Sequence, residues 1–142
     1  MAINIIKSDL LNSDQYYHQK VEKSRIILHH TAGGSAESSI NWWNTNPDHV
    51  CTPYLIKRDG TIMEVFNPEY WAYALGLGSR AEEKKSIQIE ICNYGGLVKQ
   101  NGKLFREANN KLYKFNGEFI KYNELHRGFL YFEKYTEKQV NS

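Results

Sequence analysis

Arg25-Ile-Ile-Leu-His-His-Thr-Ala-Gly-Gly34 decides the reading of this chain. Alternation along a strand puts Ile26 and Leu28 on one face and Ile27 and His29 on the other. The apolar run ends on two histidines, and Thr31, Ala32, Gly33 and Gly34 follow as a turn. An imidazole at a strand end, where the chain opens into a loop, can be reached by a metal or a substrate. Two adjacent histidines can equally do no more than cap a strand, so the flanking segments decide between the two.

Upstream, residues 12–23 are polar and weakly helical in pattern. Downstream, Ser35 can cap a helix through Glu37, Ile40, Trp42 and Trp43, which Asn46-Pro47 ends. Thr52 to Lys57 reads as a strand, Arg58-Asp-Gly-Thr61 as a hairpin turn, and Ile62 to Phe66 as the returning strand. Ser86-Ile-Gln-Ile-Glu-Ile-Cys92 alternates, with Ile87, Ile89 and Ile91 on one face and Gln88, Glu90 and Cys92 on the other. Leu112 to Phe115 and Glu118 to Tyr122 flank Asn116-Gly117, which predicts a second hairpin. Strands mixed with one clear helix predict an α/β domain, a mixed central sheet with flanking helices. Thr136-Glu-Lys-Gln139 has the spacing of a capping box, a helix start with only three residues after it.

The 142 residues suffice for one core, and 41% hydrophobic with 24% charged residues is an ordinary globular composition. A net charge of +2 is too small to argue for nucleic acid. No apolar run approaches the roughly 18 residues that span a bilayer. The opening Met-Ala-Ile-Asn-Ile-Ile-Lys lacks a signal-peptide layout, which predicts cytoplasmic synthesis. Cys51 and Cys92 are isolated; they could pair, but a reduced cytoplasmic origin is the simpler reading. Ten tyrosines, with Trp42, Trp43 and Trp71, suit carbohydrate-like ligands and core packing equally well.

Ile-Leu-His29-His30-Thr-Ala, Thr52-Pro-Tyr-Leu-Ile-Lys-Arg-Asp-Gly-Thr61, Tyr70-Trp71-Ala-Tyr-Ala-Leu-Gly76, Ser86-Ile-Gln-Ile-Glu-Ile91 and Tyr135-Thr-Glu-Lys-Gln139 occur in this order. Together they resemble the zinc-dependent N-acetylmuramoyl-L-alanine amidases of the amidase-2 type, which include cell-wall lysins and peptidoglycan recognition proteins. The resemblance implies cleavage of the amide between the lactyl group of muramic acid and L-alanine of the stem peptide, with action on the cell wall after release. It implies His29 as a zinc ligand and Glu90 as general base, with His30, Thr31, Trp71 and Tyr73 lining a substrate groove. A carboxylate set against three isoleucines independently suggests a face with a polar purpose.

A catalytic zinc needs three protein ligands and an open position. Family members supply the second histidine and a final aspartate or cysteine beyond the C-terminal helix, so the chain reads as a domain ending before that helix and ligand segment. His18 in a polar helix, His49 after Pro47 and His126 in a Leu-His-Arg-Gly turn read as surface residues; Cys92, on the Glu90 face, is the outside candidate. Ala74 stands where relatives often carry histidine. The expectation is therefore an amidase whose zinc site is incomplete as written, with little activity alone. A catalytically inactive peptidoglycan-binding module is the alternative, and a structural or regulatory part of a phage or bacterial assembly is a third reading. Without the helix, an apolar sheet face should be exposed and could be covered in a homodimer.

Overall fold

The mixed sheet predicted around the His-His strand is present, and a second sheet stands beside it. The computed structural model describes residue 3, residues 5–76 and residues 78–142. Met1, Ala2 and Asn4, part of the opening segment read for a leader, lie outside the described residues.

The first sheet comprises β1 (Ile5–Lys7), β2 (Arg25–His30), β3 (Tyr54–Ile56), β4 (Ile62–Glu64) and β5 (Ser86–Ile91), in the order β1-β4-β3-β5-β2. β5 runs parallel to both β2 and β3, whereas β3 and β4 form the antiparallel hairpin predicted at the Arg-Asp-Gly turn. Gly60 takes φ of 84° there, a conformation that glycine adopts without strain. Helix α1 (Ala36–Thr45) crosses from β2 to β3, capped by Ser35, whose side chain accepts from Ser38 N. Its buried residues Ala36, Ile40 and Trp43 recur at helical spacing and gather with Leu55, Met63 and Cys51 into one core.

Register then places the polar residues. Leu55 is paired with Glu90, and Glu90 with His29, so all three project from the face that α1 packs on. The alternation of β5 is as expected, but its burial is not. Gln88 is buried on the α1 face, while Ile87, Ile89 and Ile91 are only half-buried on the other. On that second face Ile26 is 64% and Leu28 62% exposed, because no element among the described residues covers the β2 edge there.

The second sheet comprises β6 (Gly96–Gln100), β7 (Lys103–Ala108), β8 (Lys111–Lys114), β9 (Phe119–His126) and β10 (Phe129–Glu133), ordered β8-β7-β6-β10-β9 and antiparallel throughout. The hairpin predicted at Asn116-Gly117 does not form: β8 pairs with β7 and β9 with β10, at opposite edges. The turns are Asn101-Gly102, Asn109-Asn110 and Arg127-Gly128, all six residues at positive φ, the geometry that matches strand twist in two-residue loops. Five Cα steps from Lys114 to Phe119 reach at most about 18 Å, short of the ~19 Å across a flat sheet of this width. The sheet is therefore curled, with β6 pairing with β10 through Gly96 and Leu97 and with β7 through Val98 to Gln100.

Residues 12–23 form no helix beyond a single 3-10 turn, Ser13–Gln15. Tyr16 stacks on Phe66 at 4.5 Å and Tyr17 on Trp71 at 4.1 Å, so successive rings point to different partners and hold the backbone extended. The capping box at Thr136 is formed, and it starts α3 (Glu137–Val140). Helix α2 (Arg80–Lys85) leads into β5.

Candidate active site

Parallel pairing sets His29 beside Glu90 at the carboxyl ends of two neighbouring strands, the end of the sheet where the chain opens into loops. The His29 ring is anchored by a 2.6 Å hydrogen bond between Nε2 and Gln88 Oε1. Gln88 Nε2 in turn donates to Glu83 Oε2 at 2.5 Å. Glu90 Oε2 is buried with no hydrogen-bond partner, a costly arrangement for a charged oxygen. Burial accordingly pushes the Glu90 carboxyl above the usual carboxylate range, against a smaller opposing pull from His29. A carboxyl group so placed holds a proton more readily than a solvated one, which suits it to take up and return a proton.

Glu90 lies between two clefts. One, of about 1160 Å³, runs between β2 and the second sheet and is lined by His29, His30, Tyr122, His126, Arg127 and Tyr135. The other, of about 790 Å³, lies between α1 and the β7–β8 turn and is lined by Thr31, Ser35, Ser38, Trp42, Tyr94 and Arg106. The Arg106 guanidinium stacks on Tyr94 and Tyr113, its centre 4.7 and 4.5 Å from the two rings. Among the described residues it pairs with no carboxylate, so it can receive an anionic group from the cleft.

The other expected site residues separate into two groups. His30 projects from the face opposite His29 and packs on Gly95, where a Cβ would stand 2.6 Å from Nε2. Burial first, then the charges of Arg127 and His29, hold its imidazole below the usual range. Thr31 organises the turn: Oγ1 accepts from Gly33 N at 3.1 Å and from Asn93 N at 3.3 Å. Trp71 and Tyr73 line neither cleft; Trp71 is buried between Tyr17 and Tyr73 in an aromatic cluster. Tyr135 reaches the first cleft, and burial, followed by the charges of Glu90 and Glu133, raises its phenol. Its place at the cleft was not legible from its position just before a helix cap.

The remaining metal-binding residue types do not complete a zinc site. Among the described residues no three of His, Cys, Asp and Glu form a group able to hold a metal. His18 lies on extended chain, stacked on Tyr16 at 4.6 Å, rather than in a helix. His49 is half-buried rather than superficial, its Nδ1 without a partner. Cys51 and Cys92 are unpaired and buried, and burial pushes their thiols up to about 12 and about 11. His29 is the one donor in place with Glu90 beside it, so the donor set falls short of the three ligands a catalytic zinc requires.

The fold has counterparts among solved structures. PlyL aligns at a TM-score of 0.51 and 22% identity, covering 65% of this chain and 58% of that one. A mutant form of PlyL gives the same score and identity. The Ph2119 endolysin from Thermus scotoductus MAT2119 bacteriophage Ph2119 aligns at 0.46 and 20% identity, covering 63% of this chain and 61% of that one. The chain thus spans somewhat under two thirds of the structures it matches. No curated protein matches it. The family pattern described as Amidase_2, N-acetylmuramoyl-L-alanine amidase, matches residues 19–142, and the chain belongs to that family.

Proposed function

We propose that this chain carries part of the site of a peptidoglycan amidase, which hydrolyses the amide between muramic acid and L-alanine of the stem peptide. The observation that carries this reading is the pairing of His29, which lines the first cleft, with Glu90, which lines both, in a chain matched to the family over residues 19–142. Glu90 would take the proton of the attacking water and return it to the leaving amine, a role its raised affinity for protons favours. His29 is the family's expected zinc ligand, and Thr31 and His30 are the nearest candidates for contacts to substrate. Trp71 and Tyr73 would act at most at a distance from this centre.

The lack of a three-residue metal group among the described residues favours a second reading, a module that binds peptidoglycan without cutting it. Both are tested by incubating the chain with purified peptidoglycan and zinc and measuring bound protein and new alanine amino-termini. New termini that disappear in Glu90→Gln and on chelation support the amidase. Retention on the polymer without new termini supports the binding module, and absence of both sinks the two readings. Action on the cell wall and self-association through Ile26 and Leu28 belong to the same proposal. For the latter, sedimentation should show dimers that Ile26→Ser with Leu28→Ser disperses.

A further inference from the structure

Glu83 sits in the charged run Arg80-Ala-Glu-Glu-Lys-Lys85, yet it is only 1% exposed. Its carboxylate accepts three N–H groups: Ala74 N at 3.1 Å, Leu75 N at 2.9 Å and Gln88 Nε2 at 2.5 Å. Both of its oxygens already accept backbone N–H groups, and the Gln88 side chain turns its NH2 group toward Oε2. The Gln88 carbonyl oxygen then faces the other way, and the group 2.6 Å from it is His29 Nε2. A carbonyl oxygen only accepts, so Nε2 must carry a hydrogen. In the neutral ring this leaves Nδ1 with the lone pair, and no protein donor reaches Nδ1 among the described residues.

We propose that Glu83, acting through Gln88, is a positioning residue that holds His29 as the Nε2–H tautomer and presents Nδ1 as the lone-pair nitrogen at the cleft. Both links of the relay are polar and short, and the Glu83–Gln88 link is buried, with Glu83 at 1% and Gln88 at 3% exposure, so water cannot substitute for a missing partner there. The consequence for hydrolysis rests on the amidase reading; the tautomer does not, and it can be measured without activity or metal.

The test is a long-range proton–nitrogen correlation spectrum of the full chain with 15N-labelled histidine, recorded in chelator above the ordinary imidazole range. Wild type should show His29 as a single tautomer, with a protonated Nε2 and an unprotonated Nδ1. Glu83→Gln gives the relay a group that can donate as well as accept, which frees Gln88 to turn over. The ratio of Nε2–H to Nδ1–H should then fall roughly tenfold, the equivalent of one hydrogen bond. Gln88→Met, similar in volume and with only a weak sulfur acceptor, should lower the ratio too, and it decides the matter if the Glu83 variant does not fold. An Nδ1–H or mixed ring in the wild type overturns the proposal. So does a His29 ratio unchanged in the folded variants.

Discussion

The two sheets have five strands each but are held in different ways. In the first, Leu55 is fully buried and α1 closes one face; in the second, every residue of β9 is exposed, with Phe119, Tyr122 and Leu125 at 49, 50 and 69%. The first owes its order to burial, which depends on area removed from water. The second owes more to turn geometry, cross-strand aromatic contacts such as Phe119 with Tyr131, and its junction with the first. Residues that can tolerate change without loss of the fold should therefore be concentrated in the second sheet.

The junction is the place to break this contrast. Glu133, at the end of β10, pairs with Arg58 of the turn after β3 and accepts from Tyr94 N. Glu133 is buried but the Arg58 side chain is 32% exposed, so removing Glu133 should cost up to the ~3–5 kcal/mol of breaking a buried pair, less what water restores to the guanidinium. Glu133→Ala should lower stability by that order in urea denaturation, with hydrogen exchange accelerating first in β9 and β10. Uniform acceleration in both sheets would mean that they unfold as one unit.

Leu55→Ala should cost about 2–5 kcal/mol through the cavity it leaves. Tyr122→Ala, on the exposed strand, should change stability by about 0.5 kcal/mol or less. Comparable losses at the two positions, measured by thermal unfolding, would remove the distinction between the sheets.

Gly102 stands at φ of 74° with open space around it, so Gly102→Ala should cost about 1 kcal/mol through backbone strain alone. Gly117 is not among the residues at positive φ, and Gly117→Ala should cost less, since the Phe115 ring it meets can move. The reverse order in denaturation midpoints would restore the hairpin at Asn116-Gly117.

The smallest expected effect has the opposite sign. Because the folded-state pKa of Glu90 is raised, the folded chain holds its proton through a pH range where the unfolded chain has released it. Stability therefore falls as pH rises from the ordinary carboxylate range through the folded value, and the loss persists above it. Glu90→Gln should raise Tm at neutral pH and flatten that dependence, while any amidase turnover is lost. A lower Tm, or an unchanged pH profile, would show that the carboxylate is better solvated than its surroundings imply.

The parts of the molecule that follow a period were legible in advance. Alternation in β2 and β5 placed His29 and Glu90 on their strands, and the Ser35 cap and the Thr136 capping box both marked real helix starts. What failed were inferences from one local cue. Asn116-Gly117 forms no hairpin while the identical Asn101-Gly102 does, as do Asn109-Asn110 and Arg127-Gly128, so pairing across the sheet decides which of two equal local signals is used. Alternation also could not say which face of β5 is covered, because that depends on where α1 packs. Glu83 was hidden for a related reason: on a six-residue helix of mixed charge, nothing in the sequence distinguishes a buried carboxylate from a solvated one.

The second sheet leaves and rejoins the first at one place. Glu133 N donates to Gly95 O at 3.0 Å, and Asn93 Nδ2 to Glu133 O at 3.3 Å. To the rest of the molecule, residues 96–132 thus have the end geometry of a short loop, and closing a loop depends only weakly on how much chain lies within it. The excursion is in that sense an interchangeable attachment, open to being lengthened, pruned or swapped over evolutionary time while His29 and Glu90 keep their positions. What an exchange would alter is the rim of both clefts, and so the choice of which ligands gain entry to an unchanged interior.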